Sequence, residues 1–160
     1  MTGMDMLDRL TARLRAVQPS PIRAFSQLAA NTPGCVRLTL GEPDFSTPAP
    51  VCAEVPRALA AGQTHYIENA GAAPLREAIS AFEAGRGLHY GPDEVVVTAG
   101  ATEALFCALF GMIEPGDEVI VPTPAFVLYE RVIGLCGGVF VPLDISQTGF
   151  QIDGAALRTL

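Results

Sequence analysis

A chain of 160 residues has the length of a single domain, and its ten basic residues are all arginine. With no lysine, the polypeptide acting alone is excluded from any step that needs a lysine amine, whether a Schiff base, a P-loop phosphate clamp or a lysine general base. A net charge of −7 with scattered acids argues against nucleic-acid binding, and 49% apolar against 17% charged residues is more grease than so short a domain buries, so apolar surface is hidden in a partner or part of the core is missing.

No membrane span is expected, because the apolar stretches 101–113 and 126–141 are interrupted by Glu103, Glu130, Arg131 and several glycines. Asp5 and Asp8 precede any apolar run, which is unlike a signal peptide. Cys35, Cys52, Cys107 and Cys136 are far apart and lack metal-ligand spacing; they are expected as free, buried thiols of a cytoplasmic protein.

In chain order, residues 6–17 place Leu7, Leu10, Leu14 and Val17 at helical spacing, and Pro19 and Pro21 should stop that helix. Residues 36–40 form a short strand candidate running into the turn Gly41-Glu42-Pro43-Asp44-Phe45. Residues 51–61 are helical in pattern, 64–73 a loop, and Pro74 opens a helix over 75–84 that closes at Gly85. From residue 94 strands and helices alternate. A buried strand is expected at 95–98, a helix at 101–113, a strand at 119–121, a helix at 126–136 stopped by Gly137-Gly138, and a strand at 139–142. Short links between alternating elements imply crossovers and a parallel sheet. Residues 150–153 begin a further unit, and the chain is expected to end inside its helix.

Two loops carry the chemistry. In Thr98-Ala99-Gly100-Ala101-Thr102, Gly100 permits a tight turn, Ala101 leaves the first helical amides bare and Thr102 adds a hydroxyl. A helix start after a parallel strand attracts anions through its free N–H groups and dipole, although an ordinary βα turn has the same composition. The second loop, Pro122-Thr123-Pro124-Ala125-Phe126, is stiff, and Phe126 serves either as a wall for a planar ligand or as core. Together they suit a phosphorylated heteroaromatic ligand. Gly41 offers bare backbone to a carboxylate or is simply part of a turn. Tyr66 is a ligand contact or a surface residue, and Glu103 caps its helix or stays solvated. His89 has no evident partner, and neither GxSxG nor a nucleotide fingerprint is present.

The ordered set Leu40-Gly41-Glu42-Pro43-Asp44-Phe45, Thr64-His65-Tyr66 with Asn69-Ala70-Gly71, Pro74-Leu75-Arg76-Glu77-Ala78-Ile79, Val97-Thr98-Ala99-Gly100-Ala101-Thr102-Glu103-Ala104-Leu105, and Pro115-Gly116-Asp117-Glu118-Val119 with Pro122-Thr123-Pro124 closely resembles the class I/II aminotransferases. These are fold-type I enzymes dependent on pyridoxal 5′-phosphate, and the resemblance spans about residues 10–160. It implies an α/β fold: an incomplete, mostly parallel sheet with helices on both faces. Residues 1–45 would be a small-domain or dimer arm, and 46–160 an incomplete large cofactor-binding domain.

The resemblance also implies roles. Gly100, Ala101 and Thr102 would hold the cofactor phosphate, Phe126 would stack on the pyridine ring, and Gly41 would meet the substrate carboxylate. Tyr66 would reach the phosphate in the neighbouring subunit of a homodimer. The family's Schiff-base lysine, its pyridine-pairing aspartate and its substrate arginine belong to a portion that has no counterpart here. The expectation is therefore an N-terminal portion of an aminotransferase, inactive alone, with no catalytic residue and no metal. A complementing C-terminal chain, as in a split enzyme, is one alternative; a non-catalytic binding module and a lyase of the same fold are the others.

Overall fold

The computed structural model describes residues 9–17 and 21–160, so residues 6–8 of the first expected helix lie outside the described residues. The elements are α1 (Ala12–Ala16), α2 (Pro21–Ala30), α3 (Ala49–Ala60), α4 (Ala73–Ala84), a 3₁₀ turn (Pro92–Glu94), α5 (Ala101–Met112), β1 (Glu118–Thr123), α6 (Leu128–Cys136), β2 (Val139–Asp144) and α7 (Gly154–Leu157). They group into two compact units. One joins the described residues before Ser20 to Ala99–Leu160, and the other is Pro21–Thr98.

The first unit holds a two-stranded parallel sheet, with Glu118 opposite Val139 through to Thr123 opposite Asp144. Parallel strands need a crossover, and α6 supplies it. The helix stops where Gly137 turns left-handed at φ 96°, and the Gly137 carbonyl accepts the Gly116 amide at 2.9 Å. Asp117 closes the preceding turn by accepting the Glu114 amide at 2.8 Å, and its own carbonyl accepts the Val139 amide at 2.7 Å. The core is small: among the described residues the buried apolar side chains are Val121, Val132, Ile133, Cys136 and Leu143, where one face of α6 meets the strands. Thr11 caps α1, its Oγ1 accepting the Leu14 amide at 3.3 Å, and Arg13 reaches across to donate to the Leu135 carbonyl at 3.3 Å.

The second unit is organised by Arg76. Its Nε donates to the Gly71 carbonyl at 3.0 Å, its Nη1 to the Pro92 carbonyl at 2.8 Å, and its Nη2 to the Glu68 carboxylate. One planar guanidinium thus pins the loop before α4 to the turn beyond it, which a point-charge lysine could not do. Val97 donates to the Ala70 carbonyl at 2.9 Å and ties the last segment to the same loop. Among the described residues of this unit only Gly71 is buried.

Several expectations need correction. Residues 36–40 and 95–98 form no ladder. Residue 95 is extended (φ −108°, ψ 128°), but an isolated β-branched run gains nothing as a strand without neighbours to take its N–H and C=O groups, and Val36 and Leu38 stand exposed. The first helix ends ahead of the prolines, at Ala16, as expected, but Pro21 also opens a further helix, α2, at the first position, where a missing N–H is harmless. Helix α6 begins at Leu128 rather than Phe126. No strand forms at 150–153; Asp153 instead caps α7 by accepting the Ala155 amide at 2.9 Å, and α7 ends at Leu157. Of the four free thiols only Cys136 is buried; Cys35, Cys52 and Cys107 are exposed, because the elements carrying them bury no face.

Candidate functional site

The anion turn lies in the first unit. Gly100 is the residue before α5, at φ 97° and ψ 165°, a conformation that strains any residue with a Cβ. No side chain caps the helix there, and a Cβ at Gly100 would meet open space. Ala101 and Thr102 are the first two helical residues, whose amides have no intrahelical acceptor. The Glu103 carboxylate bends back to accept the Ala99 amide, so it caps the turn instead of staying solvated.

Helix α5, which follows this turn, packs against α6, which follows the second loop. Gly138 lies against Ile113, and the Cys136 thiol donates to the Phe106 carbonyl at 3.9 Å. The last turn of α6 therefore packs against the middle of α5. Because α6 returns from the end of β1 to the start of β2, its start, with the Phe126 loop before it, falls at the carboxyl edge of the strands. That edge is where open α/β sheets bind ligands.

Phe126 follows β1 by three residues, after a cis peptide bond at Thr123–Pro124. Its ring is 54% exposed, so it is not core. It meets Tyr129 in a T-shaped contact, with centroids 5.9 Å apart and planes at 84°.

Gly41 and Tyr66 belong to the second unit. Gly41 sits in irregular backbone with no atom within 4 Å of where its Cβ would be, and Tyr66 is fully exposed. The sequence left two positioning residues without a clear role: Arg76, which braces the Tyr66 loop, and Glu103. Both stand inside the motifs quoted above, but motif membership does not reveal a hydrogen bond.

The donor set suits a cofactor with a phosphate and a flat ring. The Ala101 and Thr102 amides and the Thr102 hydroxyl can donate to the former, and Phe126 can cover the latter. It does not suit an aldehyde requiring a lysine, since the chain has none.

Residues 33–160 match the family described as aminotransferase class I and II. An aspartate/prephenate aminotransferase of Thermus thermophilus is 39% identical over 155 residues, covering 93% of this chain and 40% of the relative. An arginine–pyruvate transaminase of Pseudomonas aeruginosa is 40% identical over 125 residues, covering 77% of this chain and 32% of the relative. Among solved structures, the Thermus thermophilus aspartate aminotransferase with maleate superposes at a TM-score of 0.86 with 38% identity, covering 94% of this chain and 41% of that one. The chain thus spans about 40% of the length of curated relatives it matches, with the α/β fold of their N-terminal portion. It belongs to the class I and II aminotransferase family.

Proposed function

We propose that the chain carries the phosphate-and-ring half of a pyridoxal 5′-phosphate site, in an enzyme that moves an amino group between an amino acid and a 2-oxo acid. The start of α5 at Ala101-Thr102, with no side-chain cap at Gly100, is the observation that carries this reading. The cofactor, when bound, supplies the electron sink for amine chemistry. Ala101 and Thr102 amides and the Thr102 hydroxyl hold its phosphate, Phe126 flanks its ring, and Gly41 offers backbone to the substrate carboxylate. Tyr66 reaches toward a second subunit, consistent with its full exposure.

The lysine, and with it the proton transfers of the reaction, comes from another polypeptide segment, so the chain alone is inactive. Residues 1–45 form the arm of a small domain or dimer contact, and 46–160 belong to the large domain. A complementing chain or a second copy covers the apolar surface. Helix α5 supports this: a helix apolar on all sides is normally buried, yet no side chain of α5 is fully buried, and Phe110 is exposed at 67% and Met112 at 73%. Unpaired thiols support a cytoplasmic location. The donor stays at the level of the amino-acid class, since relatives named for aspartate/prephenate and for arginine are equally similar.

Incubation with pyridoxal phosphate and an amino acid, then borohydride and peptide mass mapping, tests the reading. No side-chain adduct and no 2-oxo acid are expected; an adduct on a side chain, or turnover by this chain alone, would overturn it.

A further inference from the structure

Helix starts are ordinarily closed by a Ser, Thr, Asp or Asn whose side chain folds over the second and third amides. Here the cap position is Gly100, which leaves that space open. The turn is held from the other side, where the Glu103 carboxylate accepts the Ala99 amide. It is a reach-back from the third helical residue like that of a capping box but one residue further, to the amide before the cap, and it lacks the capping side chain that would obstruct an anion.

We propose that Glu103 is the positioning residue of the phosphate turn: by holding the Ala99 amide it fixes the turn while the Ala101 and Thr102 amides stay bare for a phosphate. The inference rests on the phosphate reading above and adds a residue to which that reading gives no role. Glu103 acts in two opposed ways. Its hydrogen bond orders the turn, whereas its charge repels an anion, and residues 98–105 contain no Arg, Lys or His to offset that charge.

The opposition gives an unusual signature. E103Q keeps an acceptor oxygen at the same reach and removes the charge, so phosphate affinity should rise about two- to fivefold. E103A removes the acceptor as well, and affinity should fall below that of the unchanged chain by about three- to tenfold. A surface acid with no positioning role would raise affinity alike in both variants.

The experiment uses the full ¹⁵N-labelled chain and its variants, titrated with inorganic phosphate and with pyridoxal 5′-phosphate, together with amide hydrogen exchange at Ala99. Ala99 should be protected in the unchanged chain and in E103Q, and should exchange about tenfold faster in E103A. Retained protection at buried Ile133 shows that the unit is intact; if E103A loses it, E103D takes its place, keeping the charge and losing the reach, again with weaker binding expected. Unprotected Ala99 in the unchanged chain, equal exchange in all variants, or parallel gains in affinity would overturn the proposal. If neither probe shifts the turn amides in any variant, the phosphate reading fails, while the Ala99 exchange pattern still decides whether Glu103 holds the turn.

Discussion

Gly71 and Val97 are packed so closely that a Cβ on Gly71 would stand 2.7 Å from both Cβ and Cγ2 of Val97. Gly71 also has φ 105°, so the position excludes side chains on conformational and steric grounds together. The contact locks the Tyr66-bearing loop onto the segment leading out of the second unit, next to the 2.9 Å bond from the Val97 amide to the Ala70 carbonyl.

Replacing Gly71 by Ala should therefore cost about 2–4 kcal/mol, summing left-handed strain and overpacking. Hydrogen exchange at the Val97 amide reads this directly: protection should be lost in the variant. Unchanged protection would show that the loop relaxes freely.

Arg76 should resist even conservative replacement. Its side chain is 12% exposed and it bonds two carbonyls and a carboxylate. Arg76→Ala should cost about 2–4 kcal/mol, mostly from the two charge-assisted bonds to carbonyls, because Glu68 is too exposed for its ion pair to weigh much. Arg76→Lys should recover less than half of the loss, since one ammonium cannot span the three acceptors. Urea unfolding followed by exchange at Gly71 and Val97 checks both.

Burial raises the Cys136 thiol above its ordinary value of 9.0, and the positive charge of Arg13 only partly offsets this. The folded state thus favours the neutral thiol. Its contribution to stability is fully present below the unfolded value and is lost as pH rises through the higher folded one. The unfolding midpoint should hold from pH 7 to 8.5 and decline above pH 9, by less in Cys136→Ala; a thiol reagent at pH 8 should modify Cys35, Cys52 and Cys107 at least ten times faster than Cys136. Equal modification rates would mean that Cys136 is accessible.

Gly100→Ala separates the site from the fold. Open space surrounds the position, so the cost is conformational only, about 1–2 kcal/mol, and it falls on the turn. Phosphate binding should drop at least tenfold while protection of Ile133 stays within twofold.

The sequence made local features legible and long-range ones illegible. Helices α3 to α6 and both strands follow from periodicity and from Pro and Gly punctuation, and the parallel pairing follows from their alternation. Residues 36–40 and 95–98 were misleading because a strand is defined by its neighbours, which local composition does not contain. Pro21 reads from sequence only as a stop, and α1 does end ahead of it, but proline begins one helix as readily as it ends another, and α2 starts there. At the site, Gly100, Ala101 and Thr102 were identifiable from chemistry and motif, but the choice between core and wall for Phe126 depended on how α6 packs. The reach of Glu103 to Ala99 and of Arg76 to Glu68, Gly71 and Pro92 depended on side-chain direction.

The most direct measurement is an amide and aromatic shift map of the ¹⁵N,¹³C-labelled chain titrated with pyridoxal 5′-phosphate. The expected result is saturable shifts at Ala101 and Thr102 together with the Phe126 ring, and none of these when pyridoxal lacking the phosphate is used at the same concentration. Shifts confined to other residues, or none at all, would contradict the assignment of the cofactor half-site to this turn.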